Sequence, residues 1–298
     1  METFCNLCSK LGNFSGIDMN LNRNLDDETI QSHIKDIDYY GFTKIENYLT
    51  RDAVSYFLKT VNHGYEKVNS DRKVKYPGVP DRNESDKFLY SLYNIDKLFL
   101  DLLTSNTVRK IAMHKLNDEY YRRLPPNTPN YILSEFNARS SGDQLDLHID
   151  SHMPFVTKYK TNAIQVVFFL EDSTLDNGCT IVVPGSHQSG KYTDRDFPNS
   201  KPITAKAGDL IIWDSRLWHG TLENISKRSR WALVASLLQW WCKQSIDIVR
   251  NLDNNIYQKC SDEQKQLLGF CSIPSNDEFK RRNPKTGYDF LKKNVYDY

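Results

Sequence analysis

The chain has 298 residues and carries 39 Lys plus Arg against 38 Asp plus Glu, a net charge of +1. That balance argues against a protein held to nucleic acid by bulk positive charge, and no run approaches the roughly 18–20 apolar residues that span a bilayer. An apolar content of 39% with 12% aromatics supplies a sizeable core at this length, which excludes disorder over most of the chain.

Residues 1–24 are polar and Asn-rich, without the charged-then-apolar layout of a secretion signal. Six scattered cysteines fit reduced thiols, so a cytoplasmic protein is expected. Cys5 and Cys8 form a single CxxC with no second pair, a chance spacing rather than a zinc or redox site. From 27 to 129 the pattern is mostly helical. Asp26 caps a helix to about Ile37, and Thr50 opens another bearing Val54, Phe57, Leu58 and Val61 at helical spacing. Residues 95–115 repeat the pattern with an interruption near 104–107. Between these helices, 76–87 contains Pro77, Gly78 and Pro80 and reads as a loop over a site.

From about Asn130 the signal turns to β. Strands are predicted at 131–138, 163–170, 179–183, 210–213 and 231–238, separated by Ser-Gly, Asn-Gly, Pro-Gly and Gly-Asp turns. Short strands at this spacing with no helices between them indicate a sandwich or jelly roll rather than a parallel sheet. Beyond Trp241 the chain is helical again and ends in a charged tail over 272–298. The organisation expected is one domain: a polar extension (1–26), a helical part (27–129), a β core (130–241) and a C-terminal extension (242–298).

One constellation carries chemistry. His148 and Asp150 are two apart, so in extended backbone both side chains leave the same face and can reach one metal. His219 follows 69 residues after Asp150, a separation suited to strands that close on each other in a β-barrel. Two histidines and one carboxylate on one face leave open positions, the arrangement of non-haem Fe(II) oxygenases. Arg230, 11 residues beyond His219, begins a strand, and its planar fork suits a carboxylate. On these residues alone a cupin-like metal isomerase or hydrolase, or a non-catalytic binding protein on the same fold, stays open.

Residues from about Tyr40 to Trp241 resemble the phytanoyl-CoA dioxygenase (PhyH) family of Fe(II)/2-oxoglutarate-dependent oxygenases. The resemblance lies in Tyr40-Gly41-Phe42 with its apolar continuation, and in His148-Ile149-Asp150. It continues in Asn177-Gly178 through Pro184-Gly185-Ser186-His187, in Gly208-Asp209 leading to Trp218-His219-Gly220, and in Arg230. It implies a mainly β protein with flanking helices, built on a double-stranded β-helix (jelly roll, cupin-like) core. Fe(II) would sit on His148, Asp150 and His219, 2-oxoglutarate on Arg230 and Thr221, and O₂ at the remaining position. The product of such chemistry is an oxidised, usually hydroxylated, small molecule with succinate and CO₂. Asp150 stands where halogenating relatives carry a small residue, so halogenation is not expected. The substrate is expected to meet Asn137, Arg139, His152, Phe155 and Arg216, together with the loop that starts at Tyr76. Nucleic acid and membranes are not expected partners. His187 is expected to have a packing or pocket role rather than to bind metal.

Overall fold

Asp26 starts the first helix. Its carboxylate accepts the N–H of Thr29 at 2.7 Å, and α1 runs Asp27–Tyr40 with Ile30, Ile34 and Ile37 on its buried face. Gly41 ends it with φ +86° and an N–H donated to the Ile37 carbonyl, a conformation other residues adopt only with strain. In this computed structural model the described residues are 19–75, 87–120, 124–125, 127–140, 142–151, 157–191, 199–226, 228–273 and 278. The second helix, α2 (Arg51–Lys75), begins where the Thr50 hydroxyl accepts the Ala53 N–H at 3.2 Å. The expected interruption near 104–107 is real: α3 (Lys97–Leu103) stops and α4 (Asn106–Leu116) restarts. Between them the Ser105 hydroxyl donates to the Leu102 carbonyl and accepts from the Tyr48 hydroxyl at 2.8 Å. The loop expected over 76–87 lies outside the described residues except for Lys87, which opens a strand.

Ten strands follow the chain: β1 (Phe42–Ile45), β2 (Lys87–Leu89), β3 (Ile132–Ser140), β4 (Leu145–His148), β5 (Ala163–Phe169), β6 (Thr180–Val182), β7 (Lys201–Ile203), β8 (Leu210–Asp214), β9 (His219–Thr221) and β10 (Ala232–Leu238). They form a six-stranded sheet, β1-β8-β5-β10-β3-β2, and a four-stranded sheet, β4-β9-β6-β7. Every pairing is antiparallel. Two facing antiparallel sheets with crossing connections make the double-stranded β-helix, as expected. The strands at 132–140, 163–169, 180–182, 210–214 and 232–238 match the sequence reading to within two residues at each end. The short pieces β1, β2 and β7 were not anticipated.

Side-chain alternation sorts the core into two parts. The even-numbered side chains Ile164, Val166 and Phe168 of β5 join Phe136, Ile212, Leu233 and Leu237 in one cluster with Ile30, Phe57, Phe99 and Val108 of the helices. The odd-numbered Val167 and Phe169 join Ile211, Trp213 and Ala232 with Val182 and Ile203 of the smaller sheet. Helices therefore cover the outer face of the large sheet, while its inner face looks into the barrel. This explains why β5 is buried at every position and reads as an uninterrupted apolar run. Three short helices, α5 (Ile248–Asn251), α6 (Asn254–Lys259) and α7 (Asp262–Leu267), close the described C-terminal part. A capping box between Ser261 and Gln264 starts the last of them. Gln266 donates to the Tyr131 carbonyl at 2.8 Å and ties it to the sheet.

Candidate metal centre

His148 ends β4, His219 begins β9, and the two are direct partners across that antiparallel pair. Their rings lie 4.3 Å apart, centroid to centroid. Asp150, two residues past His148, is turned in by its own backbone, whose N–H donates to the Ser215 carbonyl at 2.9 Å. Its carboxylate stands 3.2 Å from His219 Nε2 and 3.6 Å from His148 Nε2. One donor atom from each of the three residues lies within 4.8 Å of the others.

The backbone also sets the tautomers. His148 Nδ1 is 2.8 Å from the Asp146 carbonyl and His219 Nδ1 is 3.0 Å from the Leu217 carbonyl. A carbonyl oxygen only accepts, so each Nδ1 carries the proton and each Nε2 is the nitrogen presented to the centre. Both rings use the carbonyl two residues upstream, the same local device repeated on two strands.

Charge in the cluster is tightly shared. Burial pushes the Asp150 carboxyl up, but His219 and then His148 outweigh it and hold the group below its ordinary value. Burial pushes His219 down, yet Asp150 beside it leaves the imidazole above its ordinary value. His148 is held below the usual imidazole range, by burial first and by His219 second. A partly buried carboxylate between two imidazoles that share one orientation is a fitting donor set for a divalent cation.

Motifs that carry no ligand hold the strands that do. Gly220 follows His219 where β4 passes so close that a Cβ would lie 2.4 Å from the Leu145 carbonyl oxygen. In the Pro184-Gly185-Ser186-His187 turn, Ser186 Oγ accepts the Trp218 N–H at 2.9 Å, and Val183 N–H donates to the Trp218 carbonyl at 2.9 Å. Gly185, with φ +78°, donates its N–H to the Tyr40 carbonyl at 2.8 Å, and His187 Nε2 is 3.1 Å from the Asp38 carbonyl. The turn thus clamps the His219 strand on one side and the end of α1 on the other.

A cavity of about 190 Å³ opens beside the triad, below the roughly 300–1,000 Å³ of sites for drug-sized ligands. Arg230, Thr221 and Arg139 line it. Arg230 is buried, and its N–H donates to Ser140 Oγ at 2.9 Å. Thr221 Oγ1 accepts the Leu145 N–H at 3.2 Å. The Arg139 guanidinium lies 5.1 Å from the centre of the Phe88 ring.

The other expected substrate residues are placed differently. Asn137 is not part of the cavity wall; its side-chain Oδ1 accepts the Ser91 N–H and its Nδ2 donates to Glu135 at 3.3 Å. Arg216 is likewise elsewhere. Its fork grips Asp214 through Nε at 2.9 Å and Nη2 at 2.8 Å, and Nη1 donates to the Thr157 carbonyl at 3.0 Å. His152 and Phe155 lie outside the described residues. Glu135, Gln165 and Thr180 line the cavity without having been singled out from the sequence. The signal for the first two was a polar residue on the period-2 face of an otherwise apolar strand.

A double-stranded β-helix with a His-Asp-His cluster at one end of its cavity defines the class of non-haem iron, 2-oxoglutarate-dependent oxygenases. The family model for phytanoyl-CoA dioxygenase (PhyH) matches residues 37–232, and the chain belongs to that family. An uncharacterized protein of Mycobacterium tuberculosis is 31% identical over 162 residues, covering 53% of this chain and 59% of that protein. The chain thus matches about three fifths of that relative's length. A dioxygenase of Aspergillus fumigatus is 25% identical over 275 residues, 86% of this chain and 80% of its own. Among solved structures, HygX from Streptomyces hygroscopicus with nickel and 2-oxoglutarate bound superposes with a TM-score of 0.54 at 15% identity. The match covers 74% of this chain and 90% of that one, a likeness of fold.

Proposed function

We propose that this protein is an Fe(II)- and 2-oxoglutarate-dependent dioxygenase that hydroxylates an unactivated C–H bond of a small molecule and releases succinate and CO₂. His148, Asp150 and His219 hold the iron. Arg230, assisted by Thr221, holds the far carboxylate of 2-oxoglutarate, and the β core over 130–241 with its helical cover acts as one oxygenase unit. The reading rests above all on the paired imidazoles: two Nε2 atoms and one carboxylate brought within 4.8 Å of each other with both Nδ1 atoms committed to carbonyls. HygX, on the same fold, binds nickel and 2-oxoglutarate, which supports the same pairing of ligands here.

When bound, the metal supplies O₂ activation, one oxygen atom going to succinate and the other to the substrate. This chain's residues supply the rest. The carbonyls of Asp146 and Leu217 keep both imidazoles in the coordinating tautomer. Arg230 and Thr221 fix one end of a dicarboxylate so that its keto acid end reaches the triad. Apolar Val167, Phe169, Ala232 and Val234 line the wall beside them and keep water from the reacting groups.

The test is succinate formation from 2-oxoglutarate with Fe(II), ascorbate and O₂ in the wild type and in His219→Ala. Loss of turnover in the variant is expected. Turnover unaffected by the substitution, or binding of Fe(II) without the visible charge-transfer band of a chelated 2-oxoglutarate, overturns the reading and returns the site to a cupin-like isomerase or hydrolase.

A further inference from the structure

The polar groups of the cavity are sorted along the barrel. Antiparallel register places Trp213, Gln165, Ser236 and Glu135 in one row across β8, β5, β10 and β3. Trp213 packs against His219 with ring centroids 5.0 Å apart, so this row lies at the end nearest the triad. Four residues further along the same strands, Phe169, Ala232 and Arg139 make another row, next to Arg230. At about 3.3 Å per residue the two rows are roughly 13 Å apart. The cavity therefore carries a carboxylate, Glu135, in the row of Trp213 and a guanidinium, Arg230, beside the other row, while the Arg139 charge acts on both His148 and His219.

A 2-oxoglutarate dianion accounts for Arg230. It does not account for Glu135, because a carboxylate on the same cavity wall repels an anionic occupant. Glu135 is not committed elsewhere. Among the described residues it forms no ion pair, and its one hydrogen bond is the 3.3 Å contact from Asn137 Nδ2. Gln165, two strands away in the same row, donates to Ser236 Oγ at 3.3 Å and adds a second polar side chain to that wall.

We propose that Glu135 is the anchor for the primary substrate and selects a small molecule with a protonated amine close to the carbon that is oxidised. This rests on the oxygenase reading above. A carboxylate partly screened from water prefers a cation by the strength of a charge-assisted hydrogen bond, and it rejects a second carboxylate or a phosphate. The anchor shares the row of Trp213, whose ring packs on His219, and Glu135 and the triad line one cavity, so an amine held there keeps its neighbouring carbons in the space that the triad faces. Polyanionic acyl thioesters are the substrates this arrangement excludes.

The experiment uses protein loaded anaerobically with Fe(II) and 2-oxoglutarate and three probes small enough for the cavity: n-butylammonium chloride, n-butanol and sodium butyrate, at equal ionic strength. Binding is read from the shift in melting temperature and from the change in the visible charge-transfer band. Butylammonium should bind at least tenfold tighter than butanol or butyrate. Glu135→Gln should lose that preference and keep its 2-oxoglutarate affinity, while Glu135→Asp should retain part of it. No preference for the amine in the wild type, or an undiminished preference in Glu135→Gln, overturns the proposal. Absence of the charge-transfer band in every sample indicts the oxygenase reading instead, and the melting shifts still report on the amine.

Discussion

Gly220 and Leu145 meet across β9 and β4 so closely that the glycine's missing side chain is a condition of the pairing: a Cβ would stand 2.4 Å from the Leu145 oxygen. Gly220 follows His219 directly, and Leu145 begins the strand that His148 ends. Separating the two backbones by even a fraction of an ångström moves one ligand away from the other two. Gly220→Ala should therefore lower Fe(II) affinity at least tenfold while costing about 1–3 kcal/mol of stability, the range for overpacking. Metal titration compared with chemical denaturation checks it. Wild-type metal affinity in a destabilised variant would show that the strands can part without moving the ligands.

Arg230→Ala should raise the KM for 2-oxoglutarate with less effect on succinate formation at saturation. Removing one partner of a buried charge pair costs about 2–5 kcal/mol, on the order of 30- to several-thousand-fold. Thr221→Ala should do the same far more weakly, because a neutral hydroxyl contributes about 1 kcal/mol. Steady-state kinetics in 2-oxoglutarate measure both, and equal effects from the two substitutions would mean that Arg230 is not the main anchor.

Metal binding should release protons and weaken in acid. Asp150 holds the His219 imidazole above its ordinary value of 6.5, so below that raised value the ring must lose a proton before Nε2 can coordinate. Affinity for Fe(II) or Co(II) should be flat at high pH and fall as pH drops through the raised value. A pH-indicator titration should show about one proton released per metal at mildly acidic pH. At saturating metal, about 100 times Kd, the melting transition should gain about 2.7 kcal/mol, and none in His219→Ala.

Asp214 is a stability element rather than a site residue. It is fully buried and accepts from Arg216 three times, from its backbone N–H, Nε and Nη2, with Lys115 Nζ 3.6 Å away. Burial pushes its carboxyl up, but Arg216 outweighs this and then Lys115 adds to it, so the folded value lies below 3.8. A depressed carboxylate contributes stability that is fully present above the unfolded value near 3.8 and is lost as pH falls through the folded one. Asp214→Asn should cost about 3–5 kcal/mol at neutral pH by leaving a buried guanidinium unpaired. It should also flatten the stability profile below about pH 4. Denaturation curves at pH 7 and pH 3 decide it; a variant as pH-sensitive as the wild type would place the acid sensitivity elsewhere.

What could be read from sequence follows the range of the interaction responsible. His148 and Asp150 were legible because a two-residue spacing in extended backbone is local geometry, and His219 and Arg230 because they flank recognisable strands. From the sequence, Arg216 is expected to meet the substrate. That its fork is spent on Asp214 depends on burial by distant strands. β1, β2 and β7, three or four residues each, owe their form to the partners they pair with: β1 to β8, β2 to β3 and β7 to β6. The His187 ring and Ser186 hydroxyl likewise act on Asp38 and Trp218, contacts of 149 and 32 residues' separation. Glu135 and Gln165 had a local signal, polar residues in phase with the barrel interior, but it becomes informative only once that interior is known to be a cavity.

β5 has no side facing water, and this joins two properties usually treated as separate. Its even-numbered residues carry the helices and its odd-numbered ones border the chemistry. A slip of one residue in its pairing with β8 and β10 would exchange the two sets, putting Phe168 toward the triad and Gln165 under the helices. Such a misfolded isomer would lose both the outer apolar layer and the polar row together. The register that makes the native state unique thereby also proofreads the active-site wall, and a molecule folded well enough to survive carries the correct one.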